Sequence, residues 1–173
     1  MSMFQRFFEK SKESNTYLFE ELNIAQYPEH MKYQGKYPVI TLSLKNMKKD
    51  NFESSYRAFK ELIRIEFTRQ KELLINFDIL NDAVKSRYNR FIDMIAEDSE
   101  YYSSIQFLSS CIYKSNGVRS IILIDEHDVP LETSYTYGFY DKMINLIKKC
   151  FRICIKDQFS TRVCCAYRMP YNF

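Results

Sequence analysis

The sequence predicts an α/β protein: a parallel sheet with a helical insertion between two of its strands, at 37–44 and 119–124. Two apolar runs and the periodicity between them carry that prediction. The first run is Val39-Ile40-Thr41-Leu42-Ser43-Leu44, mixing β-branched and apolar residues between Pro38 and Lys45-Asn46. The second, Ile121-Ile122-Leu123-Ile124, is continuous in β-formers and reads as a strand buried on both faces. Between them apolar residues recur at helical spacing, so helical crossovers join the two strands.

Taken in order, Met3 to Glu13 has Phe4, Phe7 and Phe8 on one side and reads as a helix. Ser14 to Pro28 is a connecting stretch. Gly35-Lys36-Tyr37-Pro38 leads into the first strand. Phe52, Tyr56, Phe59, Ile63 and Phe67 recur at three- and four-residue steps and predict an amphipathic helix over 50–72. Similar spacing predicts helices over 78–95 and 99–114, the latter marked by Ile105, Leu108 and Ile112. Asn116-Gly117 supplies a left-handed stop to that helix. After the second strand, Val129-Pro130 is expected to break the chain. Tyr140, Ile144, Ile147, Phe151 and Ile155 then predict a last helix, and Thr161–Tyr167 is a candidate third strand. No repeat or low-complexity segment interrupts residues 1–173, which read as a single domain.

Composition narrows the function. No window approaches the roughly 18 apolar residues of a membrane span, and Met1 to Lys12 lacks the apolar core of a signal peptide. A cytoplasmic protein is expected. With 25 basic and 22 acidic residues the charges nearly balance, so there is no direct nucleic-acid signal. The 14 Tyr and 14 Phe without a basic groove read as packing residues. Cys111, Cys150, Cys154, Cys164 and Cys165 match no common zinc spacing and are expected as reduced thiols.

Chemistry concentrates at Asp125-Glu126-His127-Asp128, directly after the buried strand. Open parallel sheets bind ligands at the carboxyl ends of their strands. An apolar strand ending in two acids is the layout of a Walker B element. There the first acid holds a Mg²⁺-bound water beside nucleotide phosphates, and the second orients or deprotonates the attacking water. Taken alone, the same pair is also what a turn cap or a solvent-facing strand end carries. The partner motif, Gly-x-x-x-x-Gly-Lys-Ser/Thr, is not among these residues: Gly35, Gly117 and Gly138 are the only glycines, and none begins it.

Several segments in register resemble the bacterial AAA-ATPase-like family. Gly35–Lys45 is similar to its "GKYPVIYLSLK" strand, and Ile122–Leu131 to its "VLIDEYDVPL" segment. Tyr17–Leu22 resembles "YLFEGL" and Tyr140–Ile144 resembles "YYDEMI", so the likeness covers residues 3–157 and leaves 158–173 divergent. The resemblance implies a P-loop NTPase-type sheet with Mg²⁺ and ATP as ligands, Asp125 as the Mg²⁺-coordinating acid acting through water, and Glu126 as the catalytic acid. Asp128 matches a family position and is a possible further metal residue; His127 stands where the family has Tyr. Longer members carry a C-terminal nuclease-like domain. In the family an arginine-rich phosphate loop precedes the segment matching Met3–Phe8. The chain is therefore expected to be an incomplete domain, ancestrally ATP-binding and inactive alone, and to self-associate through an unpaired sheet edge.

Two other readings are open on sequence alone. One is a non-enzymatic module that presents the helical insertion, 50–114, to a protein partner. The other is a metal-dependent nuclease in which Asp125, Glu126 and Asp128 form a carboxylate cluster; such sites add a lysine on the adjacent strand, and Lys36 and Lys45 flank the other strand without any pattern that fixes either near Asp125.

Overall fold

The computed structural model describes residues 3–11, 13–74, 77–156 and 161–165, the last segment and 152–156 by backbone alone. The chain enters through α1 (Met3–Phe8), passes a stretch of 3₁₀ turns and the short α2 (Pro28–Met31), and reaches β1 (Val39–Ser43). The insertion follows as α3 (Phe52–Leu73), α4 (Asp82–Ile92), α5 (Asp98–Tyr101) and α6 (Ser104–Asn116). Then come β2 (Ser120–Asp125), α7 (Val129–Thr136), α8 (Tyr140–Lys156) and β3 (Thr161–Cys165).

The three strands form one parallel sheet in the order β1-β2-β3, with Val39 opposite Ile121 and Ser43 opposite Asp125. The expected α/β class and the helical insertion are both present. The expected third strand is found at 161–165; its continuation to Tyr167, and the side chains of Cys154, Cys164 and Cys165, lie outside the described residues.

Alternation along the strands sorts side chains onto two faces. Ile40, Leu42, Ile122 and Ile124 point into the main core, where they meet Phe59, Ile63 and Phe67 of α3, Ile105, Leu108 and Ile112 of α6, and Met143 and Leu146 of α8. Val39, Ile121 and Leu123 face the other way, packed with Phe8 and Tyr37. Both faces of β2 are thus covered, which is why its sequence is a continuous apolar run rather than an alternating one.

Boundaries move where local chemistry intervenes. The expected strand end at Leu44 becomes a 3₁₀ turn over Leu44–Met47. Asn51 caps α3 by accepting the Ser54 N–H at 2.8 Å, and Asn81 caps α4 through Val84 N–H at 2.9 Å. The expected helix over 78–95 begins only after that second cap. The expected 99–114 helix is split: a capping box of Glu97 and Glu100 starts α5, and α6 begins at Ser104. Gly117 ends α6 at φ +68°, as the Asn-Gly pair predicts.

Candidate functional site

The site is built on the carboxyl end of β2, the central strand. Ile121 to Ile124 are all at most 5% exposed, and Asp125, the next residue, is half-buried at the sheet edge. The register puts Ser43 of β1 beside Asp125 on the sheet face that also carries Thr41. Glu126 then turns the chain out of the sheet at φ +52°, in the left-handed region. Its backbone N–H donates to Asp125 Oδ1 at 3.0 Å. The acid that ends the strand therefore also pins the turn that follows it.

A glutamate at positive φ is strained by roughly 1 kcal/mol, since its Cβ crowds the following carbonyl. Glu126→Gly is expected to stabilise the chain by about that amount, and Glu126→Val to destabilise it by at least as much. Urea unfolding of both variants checks this; equal stability of the two would remove the strain.

Val129-Pro130 does not break the chain, contrary to the sequence-based expectation. Asp128 is the N-cap of α7 and Pro130 sits in its first turn. Proline fits there because its fixed φ is helical and its missing N–H has no intrahelical acceptor to lose. Asp128 is exposed, and its carbonyl accepts the N–H groups of Leu131 and Glu132 at 2.9 Å. Glu126 and His127 are half-buried.

The three acids do not converge. Among the described residues no group of three or more His, Cys, Asp or Glu side chains could hold a metal ion. Mg²⁺ keeps several waters and takes one or two carboxylates, with phosphates completing its shell. Asp125 is half-buried and its Oδ1 accepts a backbone N–H, which leaves Oδ2 as the oxygen that could reach a hydrated ion. Lys36 lies before β1, at the opposite, amino end of the sheet, whereas Lys45 lies beyond its carboxyl end. Cys111 and Cys150 are buried thiols, and burial pushes Cys111 up to about 12, so it is inert at neutral pH. A cavity of about 310 Å³ floored by Pro38, Leu73, Leu74 and Val118 also lies at the amino edge, away from the acids.

One polar cluster escaped the sequence reading. Glu66 and Gln70 of α3 are 4% and 1% exposed and meet the outer edge of β1, together with Arg69. The signal was available: both fall on the same three- and four-residue spacing as Phe59, Ile63 and Phe67, which places polar side chains on the buried face.

A family model described as "Predicted AAA-ATPase" matches residues 1–165. The chain belongs to the AAA-ATPase-like family. No curated protein and no solved structure matches this AAA-ATPase-like chain. The matched span takes in β1, β2 and the acid pair, and it runs through β3. Residues 158–165, read from sequence as divergent, are thus part of the family match. No described helix of this AAA-ATPase-like chain is long and apolar enough to cross a membrane.

Proposed function

We propose that this chain carries the Walker B half of a P-loop-type ATPase site in a cytoplasmic protein. The observation that carries the reading is Asp125 at the carboxyl edge of a buried central strand in a parallel sheet, within a family match that covers it. Asp125 would hold Mg²⁺ through a water, and Mg²⁺ bound there would neutralise charge on the β- and γ-phosphates of ATP. Glu126, displaced from the sheet by its left-handed backbone, would orient an attacking water and accept its proton at the carboxylate.

The phosphate cradle, a glycine-rich loop with its lysine, is not among these 173 residues. Its backbone N–H groups and lysine are the main electrostatic stabilisers of phosphoryl transfer. The 173-residue chain is therefore expected to bind Mg²⁺-ATP weakly and to turn none over. Calorimetry with Mg²⁺-ATP and a phosphate-release assay check both. Asp125→Ala is expected to weaken the Mg²⁺-dependent part of binding by about ten-fold or more. When a phosphate-loop segment is joined to the chain, Glu126→Gln is expected to keep binding and lose hydrolysis. Turnover by the 173 residues that is indifferent to Asp125→Ala and Glu126→Gln would point to another site altogether.

A further inference from the structure

The sheet order leaves β1 with a single strand neighbour, and on its other edge the Phe8–Lys10 segment pairs only with Tyr37, just before the strand, so the edge from Val39 onward should be open. Instead, side chains of α3 occupy it. Thr41 N–H donates to Glu66 Oε1 at 3.1 Å. The Val39 carbonyl accepts from Arg69 Nη2 at 2.5 Å and from Gln70 Nε2 at 2.6 Å. Val39 and Thr41 alternate with Ile40, whose backbone faces β2, so these are the groups an added strand would use. The carboxylate takes the place of a strand carbonyl, and the guanidinium and amide take the place of strand N–H groups.

The clamp is itself locked. Arg69 Nε and Nη2 donate to the two Glu66 oxygens at 2.9 and 2.7 Å, and Gln70 Nε2 donates to Glu66 Oε1 at 2.9 Å. Arg69 Nη1 reaches Glu9, just beyond α1, which also accepts from Gln5 Nε2 at 3.0 Å. All partners of Glu66 are donors, as a carboxylate requires.

We infer that the Glu66–Arg69–Gln70 clamp is an edge guard: it stands in for a strand and keeps β1 from pairing with a second copy of this chain. A buried charge network is a costly way to hold a helix on a sheet, since apolar residues of equal volume often do as well or better. It is a direct way to satisfy and hide an edge that would otherwise template association. The self-association expected from the sequence therefore leaves β1 untouched.

The test uses the full 173-residue chain. Glu66→Leu, Arg69→Met and Gln70→Leu are combined, so that the nearly fully buried Glu66 carboxylate is not left without its cation; Glu9, 13% exposed, keeps Gln5 as its donor, and the fold is expected to persist. Light scattering over a dilution series should show self-association tightened by on the order of ten-fold or more relative to the parent. Adding Thr41→Pro, which removes the pairing N–H and is tolerated on an edge, should abolish the gain. A triple variant that associates no more tightly than the parent, or whose association ignores Thr41→Pro, overturns the inference. Amide exchange in the parent decides independently should the triple variant fail to fold. Protection of the Thr41 N–H should be slow to exchange and independent of protein concentration; protection that falls on dilution would mean that β1 already pairs between copies.

Discussion

Arg69→Met is expected to destabilise the chain by roughly 3 kcal/mol, near the low end of what breaking a buried ion pair costs. Glu66 keeps only 5% of its side chain in water, whereas Arg69 keeps 27%, and that partial exposure limits the loss. For a chain of this size the change corresponds to a fall in Tm of about 6–12 °C. Adding Glu66→Leu should recover about half or more, because the cost lies in the stranded carboxylate rather than in the missing cation. The pH dependence has a definite sign. Burial pushes the Glu66 carboxyl above the usual carboxylate range, against the opposing donors of Arg69, Gln70 and Thr41. A raised folded-state value means that protonation favours the folded state, so this contribution is fully present below the unfolded value and is lost as pH rises through the folded one. Without Arg69 the folded value climbs further. The deficit of Arg69→Met against the parent should therefore shrink as pH falls from neutrality toward the unfolded-state carboxyl value. Urea unfolding across that window checks it, and a deficit that stays constant or grows toward acid would reject the account.

Phe67→Ala is expected to cost about 3–5 kcal/mol, the range for emptying a fully buried aromatic site. Phe67 is 0% exposed and lies 4.8 Å from the Tyr88 ring, 4.6 Å from Phe91 and 6.3 Å from Phe107, centroid to centroid. Its carbonyl also accepts the Tyr88 hydroxyl at 2.8 Å. One ring thus joins α3 to α4 and α6, and its removal leaves a cavity where three helices meet. Thermal melts should show a loss of roughly 6–20 °C. Ile65→Ala, on the exposed side of the same helix at 50% exposure, should change stability by about 0.5 kcal/mol or less. Similar effects from the two substitutions would mean that the insertion is not built around Phe67.

Much of this architecture was legible because it rests on periodicity. The stripe of Phe59, Ile63 and Phe67 named the buried face of α3, and the Ile121–Ile124 run named a central strand. The breaks in the insertion were less legible. Asn81 acts through one capping hydrogen bond and Glu97 through a reciprocal box with Glu100, and these shift helix ends without disturbing the apolar pattern. Pro130 was misread for a related reason: proline stops a helix from inside but starts one at its first turn, and only the position of the preceding cap decides which.

The candidate site divides in the same way. That two acids follow a buried strand is a property of adjacent residues, so Asp125 and Glu126 could be named from the chain alone. That Asp128 stands apart, exposed at a helix start, depends on the left-handed turn at Glu126 between them.

By itself, then, the sequence determined the α/β class, the parallel pairing of two strands around a helical insertion, and the acids at the carboxyl end of the second. Each follows from the spacing of neighbours along the chain. Tertiary structure alone decided which edge of the sheet is closed and by what. The clamp brings Arg69 to Glu9, 60 residues away, and to Val39, 30 residues away, and no local pattern encodes an approach over such separations. Glu66 and Gln70 could be placed on the buried face from their spacing. What satisfies them there is a strand edge, and that edge exists only once β1 has paired with β2.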